Sequence, residues 1–266
     1  MSQLHPLTEP VTIPPIVAGR YQVQGPIGRG GRATVFAAHD PLLKREVAVK
    51  VFKARADSTA ALKVQEAEAR LLARMNHYAL TTLFDAGVDA THPDHPQVYL
   101  VMERIPGVDL KRHLAAHGPL TSTQLAYLGF DLAEGLQYVH EHGFLHRDLK
   151  PANVLIADRR IDTRIRGKLS DFGIATLIGL SDDGEFTTGT AAYLSPEQVD
   201  GQDPTTASDI YSLGIVLLEA LTGTLAYPGT VRESAFARLD RDPHIPASIP
   251  APLATILRRI DRKSVV

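Results

Sequence analysis

Three side chains with hard oxygen atoms and one lysine stand close together in the middle of the chain. The run His146-Arg147-Asp148-Leu149-Lys150-Pro151-Ala152-Asn153 passes into the apolar Val154-Leu155-Ile156. After a second short strand-like stretch comes Asp171-Phe172-Gly173. Moving a phosphoryl group asks little covalent chemistry of a protein. It needs one carboxylate near the attacking hydroxyl, oxygen ligands for a divalent metal, and cations along the phosphates. Asp148, Asn153 and Asp171 supply oxygens of the kind Mg2+ prefers, and Lys150 supplies a cation. Any one of these residues alone would be an ordinary turn or cap; their conjunction and order carry the signal.

A second constellation lies earlier. Ile27-Gly28-Arg29-Gly30-Gly31-Arg32-Ala33-Thr34-Val35 puts three glycines in four positions between two strand-like runs. Such a loop permits the φ values of a tight turn and lets backbone N–H groups approach phosphate oxygens. An ordinary glycine-rich hairpin would look the same. A dinucleotide fingerprint fits less well, because it must open into a helix and Thr34-Val35-Phe36 is β-branched and extended. A Walker loop is excluded by the missing terminal Gly-Lys-Ser/Thr. Val47-Ala48-Val49-Lys50 follows, and strand alternation sends Ala48 and Lys50 to one face, a small residue beside a cation. Glu68 on the next helical stretch could pair with Lys50, with Glu66 as the rival.

The elements that must position these groups change character along the chain. Residues 1 to about 18 carry Pro6, Pro10, Pro14 and Pro15 and read as a flexible leader. Short β-type runs follow at Tyr21 to Ile27, Thr34 to Ala38, Val47 to Phe52, Thr82 to Val88 and Val98 to Met102, with one amphipathic helix marked by Leu62, Ala69, Leu72 and Met75. Beyond Gly107 the pattern is helical, and Leu125, Leu128, Leu132, Leu136 and Val139 line one stripe. The expectation is an α+β chain of two lobes with a cleft between them: an antiparallel lobe with one helix over 19–105, and a larger, mostly helical lobe over 106–266. Lys plus Arg total 28 against 30 Asp plus Glu, so nothing suggests a basic nucleic-acid binder. The chain has no cysteine, which excludes disulfides and thiol chemistry. No apolar run is long enough to span a bilayer, and a cytoplasmic location is expected.

Taken together these motifs resemble a eukaryotic-type (Hanks-type) protein kinase domain, closest to the bacterial Ser/Thr kinases, over roughly residues 19 to 262. The resemblance implies the two-lobed kinase fold and transfer of the ATP γ-phosphate to Ser or Thr of proteins in bacterial signalling. Its cofactors would be ATP and Mg2+, with Mn2+ as a substitute. Ile27, Gly28, Gly30, Gly31, Ala33 and Val35 would cover ATP, Ala48 would line the adenine slot, and Lys50, paired with Glu68, would contact the α and β phosphates. Met102 would be the gatekeeper, Glu103 would begin the adenine-reading hinge, and Asp109 falls where a ribose-contacting acid is common. Asp148 would be the catalytic carboxylate, Lys150 would stabilise the transferred phosphate, and Asn153 with Asp171 would bind the metal. Asp209 resembles the helix aspartate that braces the catalytic loop.

Gly189-Thr190-Ala191-Ala192-Tyr193-Leu194-Ser195-Pro196-Glu197 resembles the end of an activation segment, with Thr190 marking the Ser/Thr pattern. Thr187 and Thr188 stand where autophosphorylation is common in the family, and a kinase–kinase dimer could carry that reaction. Two departures stand out: Ala33 replaces the usual third loop glycine, and the chain stops at Val266, short of the family's last helix and of the arginine that pairs with Glu197. The expectation is therefore a Glu197 carboxylate without a partner. A pseudokinase would show a gap among Lys50, Glu68, Asp148, Asn153 and Asp171, and none is visible; a small-molecule phosphotransferase is disfavoured by the segment around Tyr193. His113 with His117, and His92 with His95, have spacings that could join a metal site only with a third ligand, and His146 reads as a packed structural residue.

Overall fold

The computed structural model describes residues 15–31, 33–55, 75–91, 96–157, 164–171 and 191–260. They group into two compact units. One holds the residues up to 55 together with Leu83–Arg104; the other holds 75–82 together with the residues from Ile105 onward.

The first unit is a six-stranded sheet, with β1 (Ile16–Val17), β2 (Tyr21–Arg29), β3 (Ala33–Asp40), β4 (Arg45–Arg55), β5 (Leu83–Asp89) and β6 (Gln97–Glu103) in the order β1-β2-β3-β4-β6-β5. All neighbours are antiparallel. Every strand-like run expected between Tyr21 and Met102 is a strand. Ile16 and Val17, expected in the flexible leader, instead pair with Gln22 and Tyr21. Val17 is buried beside Tyr21 in the sheet core, and burial of that apolar side chain accounts for a strand where the proline content suggests none. Asp40 ends β3 with no exposed surface, and Arg20 grips it through Nε at 3.0 Å and Nη2 at 2.7 Å. Backbone N–H groups of Leu42 and Leu43 add 3.2 and 3.3 Å bonds to the same carboxylate. Asp40 thus closes the β3–β4 turn while remaining charged.

The second unit is built around two helices. Helix α2 (Ser122–Glu141) follows α1 (Leu110–His117), and its N-terminus is closed by a Thr121–Gln124 capping box. The stripe read from the sequence is buried as expected, with Asp131 and Gly135 added to it. Helix α4 (Thr206–Thr222) is buried along most of its length. A small sheet orders β7 (Gly107–Asp109), β8 (Val154–Ala157) and β9 (Arg166–Leu169) side by side. Strand β9 lies against α2, close enough at Gly167 that a Cβ there would fall 2.5 Å from Leu128 Cδ1 and force that buried side chain to shift. Asp131, fully buried on α2, accepts from Gly167 N at 3.1 Å and Arg164 Nη2 at 3.0 Å. Short helices α3 (Pro196–Val199), α5 (Val231–Asp240) and α6 (Ala251–Ile260) complete the unit.

One boundary differs from the sequence reading. Residues 75–82, expected with the β lobe, belong to the second unit, where Thr81 N donates to Leu169 O and Leu169 N to Ala79 O, both at 2.8 Å. The single amphipathic helix expected before them lies outside the described residues, apart from Met75. Among the described residues no helix is long and apolar enough to cross a membrane.

The Arg20 bond holds the Asp40 carboxyl below its usual range. The folded state therefore binds this proton more weakly than the unfolded chain, and the contribution is complete above the ordinary carboxylate range. It is lost as pH falls through the depressed folded value. Arg20→Ala is expected to cost about 1–3 kcal/mol at neutral pH in urea unfolding, and the difference from wild type should shrink toward pH 3.

Candidate active site

The first unit collects the nucleotide-binding candidates on one sheet face. Directly paired residues in an antiparallel sheet share a face, and successive residues alternate. Phe36, Ala38, Val47, Val49, Val51, Tyr99 and Val101 belong to the core cluster. The opposite face carries Ala37, Ala48 and Met102 in one cross-strand row, and Val35, Lys50 and Leu100 in the next. Ala48 and Met102 are buried, Val35 and Lys50 half-buried. Lys50 keeps its Nζ 5.4 Å from the Phe52 ring centroid, on the same strand. Glu103 ends β6 opposite Val47.

Gly28 pairs with Val35 at the mouth of the β2–β3 hairpin, and Gly30 N closes the turn on Ala33 O at 2.9 Å. Lys53 Nζ clasps the loop from β4 by donating to Gly30 O at 2.9 Å. Gly28, Gly30 and Gly31 all keep negative φ, so the expectation that they supply special turn dihedrals is corrected. A Cβ at Gly31 would meet nothing within 4 Å, so the space beside that residue is open. Ile27 is 42% exposed beside these glycines, while Ala33 is buried without strain.

In the second unit the His146–Asn153 loop is held by bonds that converge on Asp148. Lys150 Nζ donates to both carboxylate oxygens, at 2.8 and 2.7 Å, and Asn153 Nδ2 donates to Oδ2 at 2.9 Å and to the Asp148 carbonyl at 2.7 Å. Lys150, expected at the transferred phosphate, thus neutralises Asp148 here. The segment before Asp171 is tied to the same loop, since Ser170 N and Oγ donate to Asn153 O at 2.9 and 3.1 Å. His146, with no exposed surface, offers Nε2–H to Ser170 O at 3.1 Å and takes Asp148 N on Nδ1 at 3.4 Å. Burial pushes its pKa down, which keeps the ring neutral and able to accept on one nitrogen while donating from the other. The structural role expected for His146 is therefore what the geometry shows.

Arg147 and Asp171 flank this arrangement with φ of 65° and 59°, left-handed values that side chains rarely adopt. Support comes from α4. Asp209, 2% exposed, accepts His146 N on Oδ2 at 2.7 Å and Arg147 N on Oδ1 at 2.8 Å. His140 Nε2 reaches the same Oδ2 at 2.8 Å. The brace expected of Asp209 is present. His140 and Ser170 carry no signal in the sequence beyond their positions, six residues before the loop and one residue before Asp171.

With both amide hydrogens of Asn153 committed to Asp148, its remaining ligand atom is the carbonyl Oδ1, a hard oxygen like those of Asp171. That donor chemistry fits Mg2+, which takes one or two protein ligands and shares a nucleotide's phosphates. Among the described residues no three His, Asp or Glu side chains gather into an all-protein metal site. His113 and His117 stack at 4.6 Å, and His117 Nδ1 sits 3.2 Å from the His113 carbonyl. Asp109 caps α1, accepting Arg112 N at 2.8 Å. Glu197 is corrected: its Oε1 accepts the Ser208 hydroxyl at 2.5 Å, so it is not left without a partner. Glu68, Thr187, Thr188, Thr190, His92 and His95 lie outside the described residues.

Comparison with known proteins agrees with the loop geometry. The protein kinase domain family matches residues 21–257. The chain belongs to the protein kinase family. Its relatives include the serine/threonine-protein kinase PknB of Mycolicibacterium smegmatis, 38% identical over 227 residues, covering 82% of this chain and 35% of the relative. PknB of Mycobacterium tuberculosis is 37% identical over 246 residues (90% of this chain, 38% of the relative). PknL of Mycobacterium bovis is 38% identical over 231 residues (85% and 55%). This kinase domain thus spans between about a third and just over half the length of those relatives. The match includes both the sheet face that carries Lys50 and the loop that carries Asp148.

Removing the carboxylate of Asp209 would leave two backbone donors in this kinase domain without an acceptor beside a left-handed Arg147. Asp209→Ala should cost about 3 kcal/mol, a melting shift of roughly 5–10 °C in differential scanning calorimetry. A shift within 2 °C would show that the loop holds its shape unaided.

Proposed function

We propose that this chain is a protein serine/threonine kinase that moves the γ-phosphate of ATP to Ser or Thr hydroxyls of proteins, its own activation segment included. The observation that carries the proposal is the double clasp on Asp148, from Lys150 at 2.7 Å and Asn153 at 2.9 Å, which orients one carboxylate while leaving it 34% exposed. The family membership and the names of the relatives support it.

In this reading the first unit supplies the nucleotide face. Ala48, being small, admits the flat adenine beside the buried Met102 of the same cross-strand row, and Val35 covers it from β3. The backbone at Glu103 reads its edge and Asp109 its ribose. Lys50, paired with Glu68, lies along the α and β phosphates, and the hairpin of Gly28, Gly30 and Gly31 covers the phosphates with little side-chain bulk, Ile27 and Ala33 flanking it. The second unit supplies the catalytic loop. Asp148 accepts the proton of the acceptor hydroxyl as its oxygen bonds to phosphorus and the bond to the ADP oxygen breaks. Lys150 moves its charge from Asp148 to the phosphoryl group in transit. Asn153 and Asp171 hold Mg2+, or Mn2+ in its place, which neutralises charge on the phosphates. Protein substrates, a kinase–kinase pair for autophosphorylation and action in the cytoplasm belong to the same reading.

Radiolabelled ATP offered with protein acceptors tests it. Transfer to Ser or Thr should require divalent metal, stop with chelator, and fall at least about a hundredfold in Asp148→Asn. Equal transfer by that variant would refute the assignment. Intact-mass and peptide mass spectrometry should find phosphate on Thr187 or Thr188 of wild type and none on Asp148→Asn; phosphate on both would point to a different enzyme as the donor.

A further inference from the structure

Helix α5 buries a cation that the proposed chemistry does not use. Arg238 is 5% exposed, and among the described residues its hydrogen bonds all go to carbonyls. Nη2 donates to Ser234 O at 2.8 Å and Nε to Ala235 O at 3.1 Å, both one turn back on its own helix. Nη1 donates to the carbonyl of Leu194, 44 residues away in sequence. The Tyr227 ring lies 5.0 Å from Cζ and covers one face of the guanidinium. Arginine does not give up its proton in proteins, so the charge stays.

Stability alone does not account for this arrangement. A buried cation without a carboxylate pays a desolvation cost that an apolar side chain of similar length avoids. What only the guanidinium provides is a donor to Leu194 O. That carbonyl sits between the turn Ala191–Tyr193 and helix α3, inside the stretch that resembles the end of an activation segment. Helix α4 holds the neighbouring residue: the Tyr193 hydroxyl donates to Glu219 Oε2 at 2.6 Å, and Ser212 Oγ donates to Tyr193 O at 2.7 Å. Two helices therefore grip consecutive residues from different directions, and the grip on Leu194 belongs to Arg238.

We propose that Arg238 is a positioning residue that fixes the Leu194 carbonyl and thereby the backbone on which the protein substrate docks. The fixing of the segment stands on the geometry; the docking role rests on the kinase reading above. Two measurements on the whole chain separate them. Hydrogen exchange needs no catalysis: in Arg238→Met, amides of 191–199 should exchange at least about tenfold faster, the loss expected for one bond to a charged donor, while those of α2 and α4 keep their rates. In steady-state assays with a serine-containing acceptor peptide, the same variant should raise KM for the peptide about tenfold and leave kcat and KM for ATP within about twofold. Arg238→Lys, which keeps a charged donor, should fall between wild type and Arg238→Met. Unchanged exchange over 191–199 overturns the positioning role, and so does a fall in kcat with KM for the peptide unmoved. A wild-type chain that transfers no phosphate refutes the kinase reading, with the exchange measurement still deciding on Arg238.

Discussion

A single carboxylate, that of Asp209, fixes the backbone of the loop that carries Asp148. Its two oxygens take the N–H groups of His146 and Arg147 from a helix more than sixty residues further along the chain. Arg147 is left-handed, a conformation that costs a side-chain-bearing residue of order 1–3 kcal/mol, and it persists because the surroundings over-determine it. From that anchor the rest follows by short steps: His146 reaches Ser170, Ser170 binds Asn153, and Asn153 turns its amide onto Asp148. The order of the site is a chain of hydrogen bonds whose inner links, at His146 and Ser170, are buried, where each unmade bond is expensive.

The first unit uses a different device. Pleat parity orders its candidate ligand face. One side of β3, β4 and β6 is filled by valines, Phe36 and Tyr99, and that packing commits the other side to whatever lies one residue away. Ala48 and Lys50 face the same way because they stand two positions apart on β4. Asp40 contributes at the edge by fixing the turn that keeps β3 and β4 in step.

Much of this could be read from residue order because the signals were local. Strand alternation placed Ala48 with Lys50, helical spacing found the stripe from Leu125 to Val139, and the His146–Asn153 run announced its chemistry by composition. What escaped was non-local or depended on a small number of atoms. Nothing about Ile16 and Val17 distinguishes them from the prolines before them until Tyr21 supplies a partner. The segment at 79–81 joined the second unit through backbone bonds to Leu169 that no side chain advertises. Glu197 looked stranded because the expected partner was an arginine, whereas a hydroxyl eleven residues along satisfies it. Of the two reasons the sequence offers for the loop glycines, unusual dihedrals do not apply, since Gly28, Gly30 and Gly31 are not among the positive-φ residues.

The alternation in β4 makes this strand intolerant of insertion or deletion. Because its side chains repeat every second position, slippage by one residue would drive an ammonium into the valine packing and turn Val47 and Val49 outward. With the bend at its start clasped by Asp40, the strand acts as a ruler of constant measure.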